Sequence, residues 1–192
     1  MKSLCVYCSS SDRLEPKYYE AAAQMGAEIA RRQWVLVYGG GKSGLMGAVA
    51  RGTKDNGGRV VGVIPEFMKV RELAFDEADE LISVLTMRER KMLMETRADA
   101  FVALPGGWGT LEEILEILTL AHLDVLKKPI VFLNQDGYYD GLLAMFDRIV
   151  RENFMRDTVR GKYAVAKTVE EVFTLIDGWS HTVSDKQWFE TR

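Results

Sequence analysis

Residues 100–113 read Ala100-Phe101-Val102-Ala103-Leu104-Pro105-Gly106-Gly107-Trp108-Gly109-Thr110-Leu111-Glu112-Glu113. An apolar run leads into a turn holding three glycines, and the turn leads into a stretch with helical spacing. A strand that is apolar throughout is buried on both faces. Strand, glycine turn and helix in that order make the repeating unit of a parallel sheet with helices on both sides.

The same alternation recurs on either side of this stretch. Strands are expected over residues 4–8, 34–38, 59–64, 81–85, 100–104 and 130–133. Helices are expected over 16–32, 43–56, 87–96, 110–123 and 139–152, and a short strand and helix over 164–176. The expected fold class is α/β, a doubly wound and mostly parallel sheet forming one domain over residues 1–178. Residues 179–192, with Trp179 and Trp188, read as a tail or as an arm packed on a partner subunit.

Bulk properties narrow the function. The chain has 192 residues, 47% apolar and 28% charged, as in ordinary globular proteins. Its net charge of −3 gives no general attraction to nucleic acid. No stretch has the apolar length to cross a bilayer, and the opening MKSLCVYCSS is too short in its apolar part for a signal peptide, so cytoplasmic residence is expected. Two cysteines make no disulfide framework. Cys5 and Cys8 have C-x-x-C spacing inside a strand, where positions three apart point to opposite faces. That placement argues against a redox dithiol or a zinc site. With His122 and His181 the only histidines, no metal is expected.

Three segments carry candidate chemistry. Gly39-Gly40-Gly41-Lys42-Ser43-Gly44 lies between a strand and a helix and fits G-x-G-x-x-G, with Glu66 beyond the next strand as a ribose-binding acid. It is read either as a nucleotide-binding turn or as a tight turn that needs glycine. Pro105 to Glu113 is sharper. Gly106, Gly107 and Gly109 clear the turn of Cβ atoms, and Thr110 is placed to cap the helix with Glu113 completing a capping box. Free amides at that helix start suit a phosphate. Met87-Arg88-Glu89-Arg90-Lys91 opens another helix with three cations against its dipole. Those cations read as phosphate or carboxylate ligands, or as a solvated face with a Lys91–Glu95 pair.

YGGGKSGLMG at residues 38–47 and LPGGWGTLEE at residues 104–113 resemble the Lonely Guy family, the cytokinin-activating phosphoribohydrolases. The family pattern P-G-G-x-G-T-x-x-E is matched by Pro105, Gly106, Gly107, Gly109, Thr110 and Glu113, and M-H-E-R-K by Met87, Glu89, Arg90 and Lys91. Arg88 stands where the family has histidine, and Leu120 where many relatives have tryptophan, which leaves the preferred base open. The resemblance implies a Rossmann-like homodimer without metal or redox cofactor. It implies hydrolysis of the N-glycosidic bond of an adenine-type nucleoside 5′-monophosphate to free base and ribose 5-phosphate.

On that reading Glu113 stabilises the cationic ribose and Arg90 assists the departing base electrostatically. The amides of Gly107, Gly109 and Thr110 hold the phosphate with Gly106 in the same turn, while Met87, Lys91 and Gly39, Gly40 and Gly41 line the substrate. The alternatives are a dinucleotide-dependent oxidoreductase and a nucleotide or molybdenum-cofactor carrier without turnover.

Overall fold

A computed structural model describes residues 1–69 and 74–180. Its strands are β1 (Ser3–Tyr7), β2 (Val35–Tyr38), β3 (Arg59–Pro65), β4 (Glu80–Val84), β5 (Ala100–Ala103), β6 (Ile130–Leu133) and β7 (Ala164–Ala166). They form one seven-stranded sheet in the order β4-β3-β2-β1-β5-β6-β7. Every ladder is parallel. An isolated antiparallel bridge joins Gly41 to Ala74.

The central strands β1, β5 and β6 are buried at every position, so alternate residues feed two cores. Leu4, Val6 and Val102 face one core, with Met25 and Ile29 of α1 (Pro16–Arg31), Val49 of α2 (Gly44–Asp55) and Phe173 of α7 (Val169–Asp177). Cys5, Tyr7 and Phe101 face the other, with Met94 of α4 (Met87–Arg97) and Ile114 and Ile117 of α5 (Trp108–His122). Leu142, Leu143 and Phe146 of α6 (Asp140–Arg151) pack on that second core. This is the expected doubly wound α/β architecture, Rossmann-like, with helices on both faces. Cys5 and Cys8 fall in different cores, as their spacing predicts.

The chain builds β1 to β4 outward in one direction, then returns to place β5 beside the other edge of β1. The loops after β1 and β5 therefore part at a topological switch point, where ligands of open α/β sheets bind. Both glycine turns, after β2 and β5, open on this edge.

Several boundaries differ from the sequence expectation. α5 begins at Trp108, two residues before Thr110, with Gly107 as its N-cap in extended conformation and no side-chain cap bond. Thr110 and Glu113 therefore form no capping box, because both lie inside the helix. A glycine in the first turn does not stop a helix whose later residues pack well. Among the described residues a complete capping box stands on α4, where Thr86 and Glu89 satisfy each other's backbone amides. The sequence T-x-x-E was there to be read. A one-turn helix α3 (Glu66–Lys69) follows β3. Before α6 the chain makes a 3₁₀ turn, Gln135–Gly137, with left-handed φ of 51° at Asp136 and 75° at Gly137. Trp188 and His181 lie outside the described residues.

Candidate active site

Arg90 and Glu113 meet at the switch-point edge. The Nη1 of Arg90 donates to Oε1 of Glu113 at 2.6 Å, and its Nε donates to the carbonyl of Val63 at 3.1 Å. Arg90 is 6% exposed and Glu113 8%. Two charges are this deeply buried only when paired and hydrogen-bonded. The pair spans the molecule: Arg90 comes from the first turn of α4, Glu113 from the second turn of α5, and Val63 from β3. Arg90 and Met94, one turn apart, are both buried on the inner face of α4.

Burial raises the Glu113 carboxyl above the ordinary glutamate range, and the Arg90 guanidinium pulls it back by less. Lys91 lies on the outer side of the same turn. It pairs with Glu112 and, at 2.6 Å, with Glu116, which raise its pKa. The expected Lys91–Glu95 pair is not made, because Lys91 leans across to α5 and not along its own helix. Met87, at the head of α4, is exposed.

The two glycine turns do different work. Around Gly39 the Nη2 of Arg90 occupies the space a Cβ would need. Gly39 is thus the seat of the guanidinium. Gly40 has a φ of 75°, the left-handed region that favours glycine. The start of α2 is filled by protein. The Gly44 amide donates to Oδ1 of Asp12 at 2.7 Å, and the Leu45 and Met46 amides donate to the Ser9 carbonyl at 2.9 and 3.3 Å. A dinucleotide pyrophosphate has no free amides there, so the G-x-G-x-x-G reading fails at its central requirement. Glu66, its supposed ribose acid, is exposed on α3.

The start of α5 is the opposite case. The first intrahelical bond runs from the Leu111 amide to the Gly107 carbonyl at 3.0 Å. Among the described residues no protein acceptor takes the amides of Trp108, Gly109 and Thr110. A Cβ built at Gly107 or Gly109 would meet nothing within 4 Å. These glycines face open space, and protein packing does not account for them. Gly106 does have a packing reason, since a Cβ there would collide with the buried Thr110 side chain.

Two tyrosine hydroxyls from a distant segment support this turn. The hydroxyl of Tyr139 donates to the Leu104 carbonyl at 2.6 Å, and that of Tyr138 to the Gly106 carbonyl at 2.7 Å. Along the chain these are two aromatics after Gly137, and nothing local to them names a partner. Hydroxyl partners across 32 and 35 residues of chain are decided by the sheet alone.

A family profile described as "possible lysine decarboxylase" matches residues 46–176. A protein of Arabidopsis thaliana described as a probable cytokinin riboside 5′-monophosphate phosphoribohydrolase is 43% identical over 176 residues, covering 92% of this chain and 88% of that one. The chain belongs to the Lonely Guy family. A second member, an Arabidopsis thaliana cytokinin riboside 5′-monophosphate phosphoribohydrolase, is 44% identical over 171 residues, 89% of this chain and 79% of its own. Among solved structures, the molybdenum cofactor carrier protein of Chlamydomonas reinhardtii superposes with a TM-score of 0.70 at 22% identity, over 92% of this chain and 96% of that one. At that identity the likeness shows the fold alone. The Lonely Guy motifs in this chain are the segments that supply Arg90, Glu113 and the open α5 terminus.

Proposed function

We propose that this protein is a phosphoribohydrolase that cleaves the N-glycosidic bond of adenine-type nucleoside 5′-monophosphates, cytokinin riboside 5′-monophosphates and AMP among them, giving free base and ribose 5-phosphate. The observation that carries the proposal is the buried Arg90–Glu113 pair set one helical turn below the unoccupied amides of α5. From Gly109 to Glu113 the helix advances four residues, about 6 Å at about 1.5 Å per residue. A 5′-phosphate on the amides of Gly107, Trp108, Gly109 and Thr110 therefore brings the ribose beside the Glu113 carboxylate.

Bond cleavage leaves the electron pair with the base and positive charge on the ribose ring. The Glu113 carboxylate stabilises that charge in a site sheltered from water, where a fixed charge acts strongly. Arginine keeps its proton, so Arg90 acts on the departing base by its field. Water then bonds to the anomeric carbon of the ribose, and the proton it gives up goes to the departed base, so that the products are free base and ribose 5-phosphate. Lys91 holds α4 to α5 through Glu112 and Glu116 and so keeps Arg90 in register with Glu113. No step uses a metal or redox cofactor.

Our reading of the enzyme's location is the cytoplasm; what supports it is that, among the described residues, no helix is long and apolar enough to cross a membrane. The enzyme acts as a homodimer, because α6 carries Leu142, Leu143, Met145, Phe146 and Ile149 yet buries none of them fully within one protomer. Light scattering should give twice the mass of 21.7 kDa.

The deciding experiment follows base release by chromatography from AMP and from isopentenyladenosine 5′-monophosphate, with adenosine as control. Stoichiometric ribose 5-phosphate and a strong preference for monophosphates are expected. Binding without release would make the protein a carrier. Equal kcat/KM for adenosine and AMP would remove the phosphate site from α5.

A further inference from the structure

We infer that Tyr138 is a positioning residue for the phosphate of the substrate, acting through the peptide bond between Gly106 and Gly107. This rests on the proposed phosphate site at α5. A trans peptide holds its C=O and N–H pointing in opposite directions, and no described peptide bond is cis. The Tyr138 hydroxyl holds the Gly106 carbonyl on one side at 2.7 Å. The N–H of the same peptide, which belongs to Gly107, is thereby aimed out of the opposite side, and among the described residues no protein acceptor takes it. A hydrogen bond accepted by a carbonyl also polarises the attached N–H and makes it a better donor.

Tyr139 makes the contrasting case. Its hydroxyl holds the Leu104 carbonyl at 2.6 Å. The next residue is Pro105, so that peptide has no N–H to aim or polarise. Tyr139 is buried and anchors the strand end, whereas Tyr138 is 46% exposed. One tyrosine serves the fold and its neighbour serves the ligand.

Tyr138 is itself held from several sides. Left-handed Asp136 and Gly137 turn the chain back toward β5. The Asn134 side chain accepts from the Tyr139 amide at 2.7 Å and donates to Asp140 at 2.8 Å. The Tyr138 ring stands edge-on to Tyr139 at 5.0 Å and to Tyr18 at 6.2 Å. A phenylalanine keeps those ring contacts and loses only the hydroxyl.

The test compares wild type, Tyr138→Phe and Tyr139→Phe in four readings. These are AMP kinetics, adenosine kinetics, ribose 5-phosphate binding by calorimetry, and the Gly107 amide proton shift without ligand. Tyr138→Phe should raise KM for AMP and weaken ribose 5-phosphate about tenfold, with kcat within about twofold. Adenosine cleavage and Tm should stay near wild type, and the Gly107 amide proton should move upfield. Tyr139→Phe should lower Tm and leave both affinities near wild type. An unchanged ribose 5-phosphate affinity in Tyr138→Phe overturns the inference, as does an equal loss for AMP and adenosine. If wild type released no base from AMP, the phosphoribohydrolase reading would fail, while ribose 5-phosphate binding and the Gly107 shift would still decide the role of Tyr138.

Discussion

Replacing Glu113 by glutamine removes one charge and little else. The side chain keeps its length and an oxygen to accept from Nη1 of Arg90, the 2.6 Å contact of the native pair. Two costs follow, and they separate. For catalysis, a carboxylate about 4 Å from a developing unit charge contributes about 4 kcal/mol at an effective dielectric of about 20. The neighbouring Arg90 cancels part of that field, so the barrier should rise by about 3–4 kcal/mol, roughly two to three orders of magnitude in kcat.

For stability, breaking a buried ion pair costs about 3–5 kcal/mol when a charge is left without a partner. Here Arg90 keeps its bond to the Val63 carbonyl and one to the new amide. The loss should therefore fall at or below the lower end, about 3 kcal/mol. The assay measures kcat and KM for AMP well below the unfolding midpoint, with the midpoint and the AMP dissociation constant from the same preparation. A kcat close to wild type in folded protein would refute the catalytic role, whatever the thermal midpoint did. A capping role predicts little change in turnover, but Glu113 caps nothing in this helix.

Gly39→Ala places a methyl group where Nη2 of Arg90 lies, so the guanidinium must move. Activity should fall at least tenfold while circular dichroism stays native, and wild-type kcat/KM would show that Arg90 tolerates displacement. Glu113 should titrate above the ordinary value of 4.5, since burial is the largest influence on it. With the folded pKa raised, ionising Glu113 costs the folded state free energy as pH climbs from the unfolded value through the folded one, and the ionised form that the proposed mechanism uses is lost as pH falls, with a midpoint above 4.5. Carbon-13 NMR of labelled glutamates, assigned with Glu113→Gln, reads the midpoint directly, and a value at or below 4.5 contradicts it. Cys5 and Cys8 are buried, and burial pushes both thiols up. Dithionitrobenzoate should find neither in the native protein and both in denaturant, and rapid native labelling would count against the packing of β1.

The alternation of apolar strands with amphipathic helices was enough to determine the α/β class and the parallel sheet, because burial on both faces and helical periodicity are written in local sequence. The motifs also marked Arg90, Glu113 and the α5 turn as one site, since all lie just past strand ends and parallel strands end on one edge. Local sequence could not say which glycine turn keeps its amides free. Gly39 to Gly44 and Gly106 to Thr110 look alike along the chain. Only tertiary structure put Asp12 and Ser9 against the first and left the second open. Nor could it tell that Lys91 would find Glu112 and Glu116 in place of Glu95, or that the hydroxyls of Tyr138 and Tyr139 would reach two carbonyls more than 30 residues away. Hydrogen bonds and ion pairs between elements depend on which strands the sheet makes neighbours, and that order is a property of the whole chain packed together.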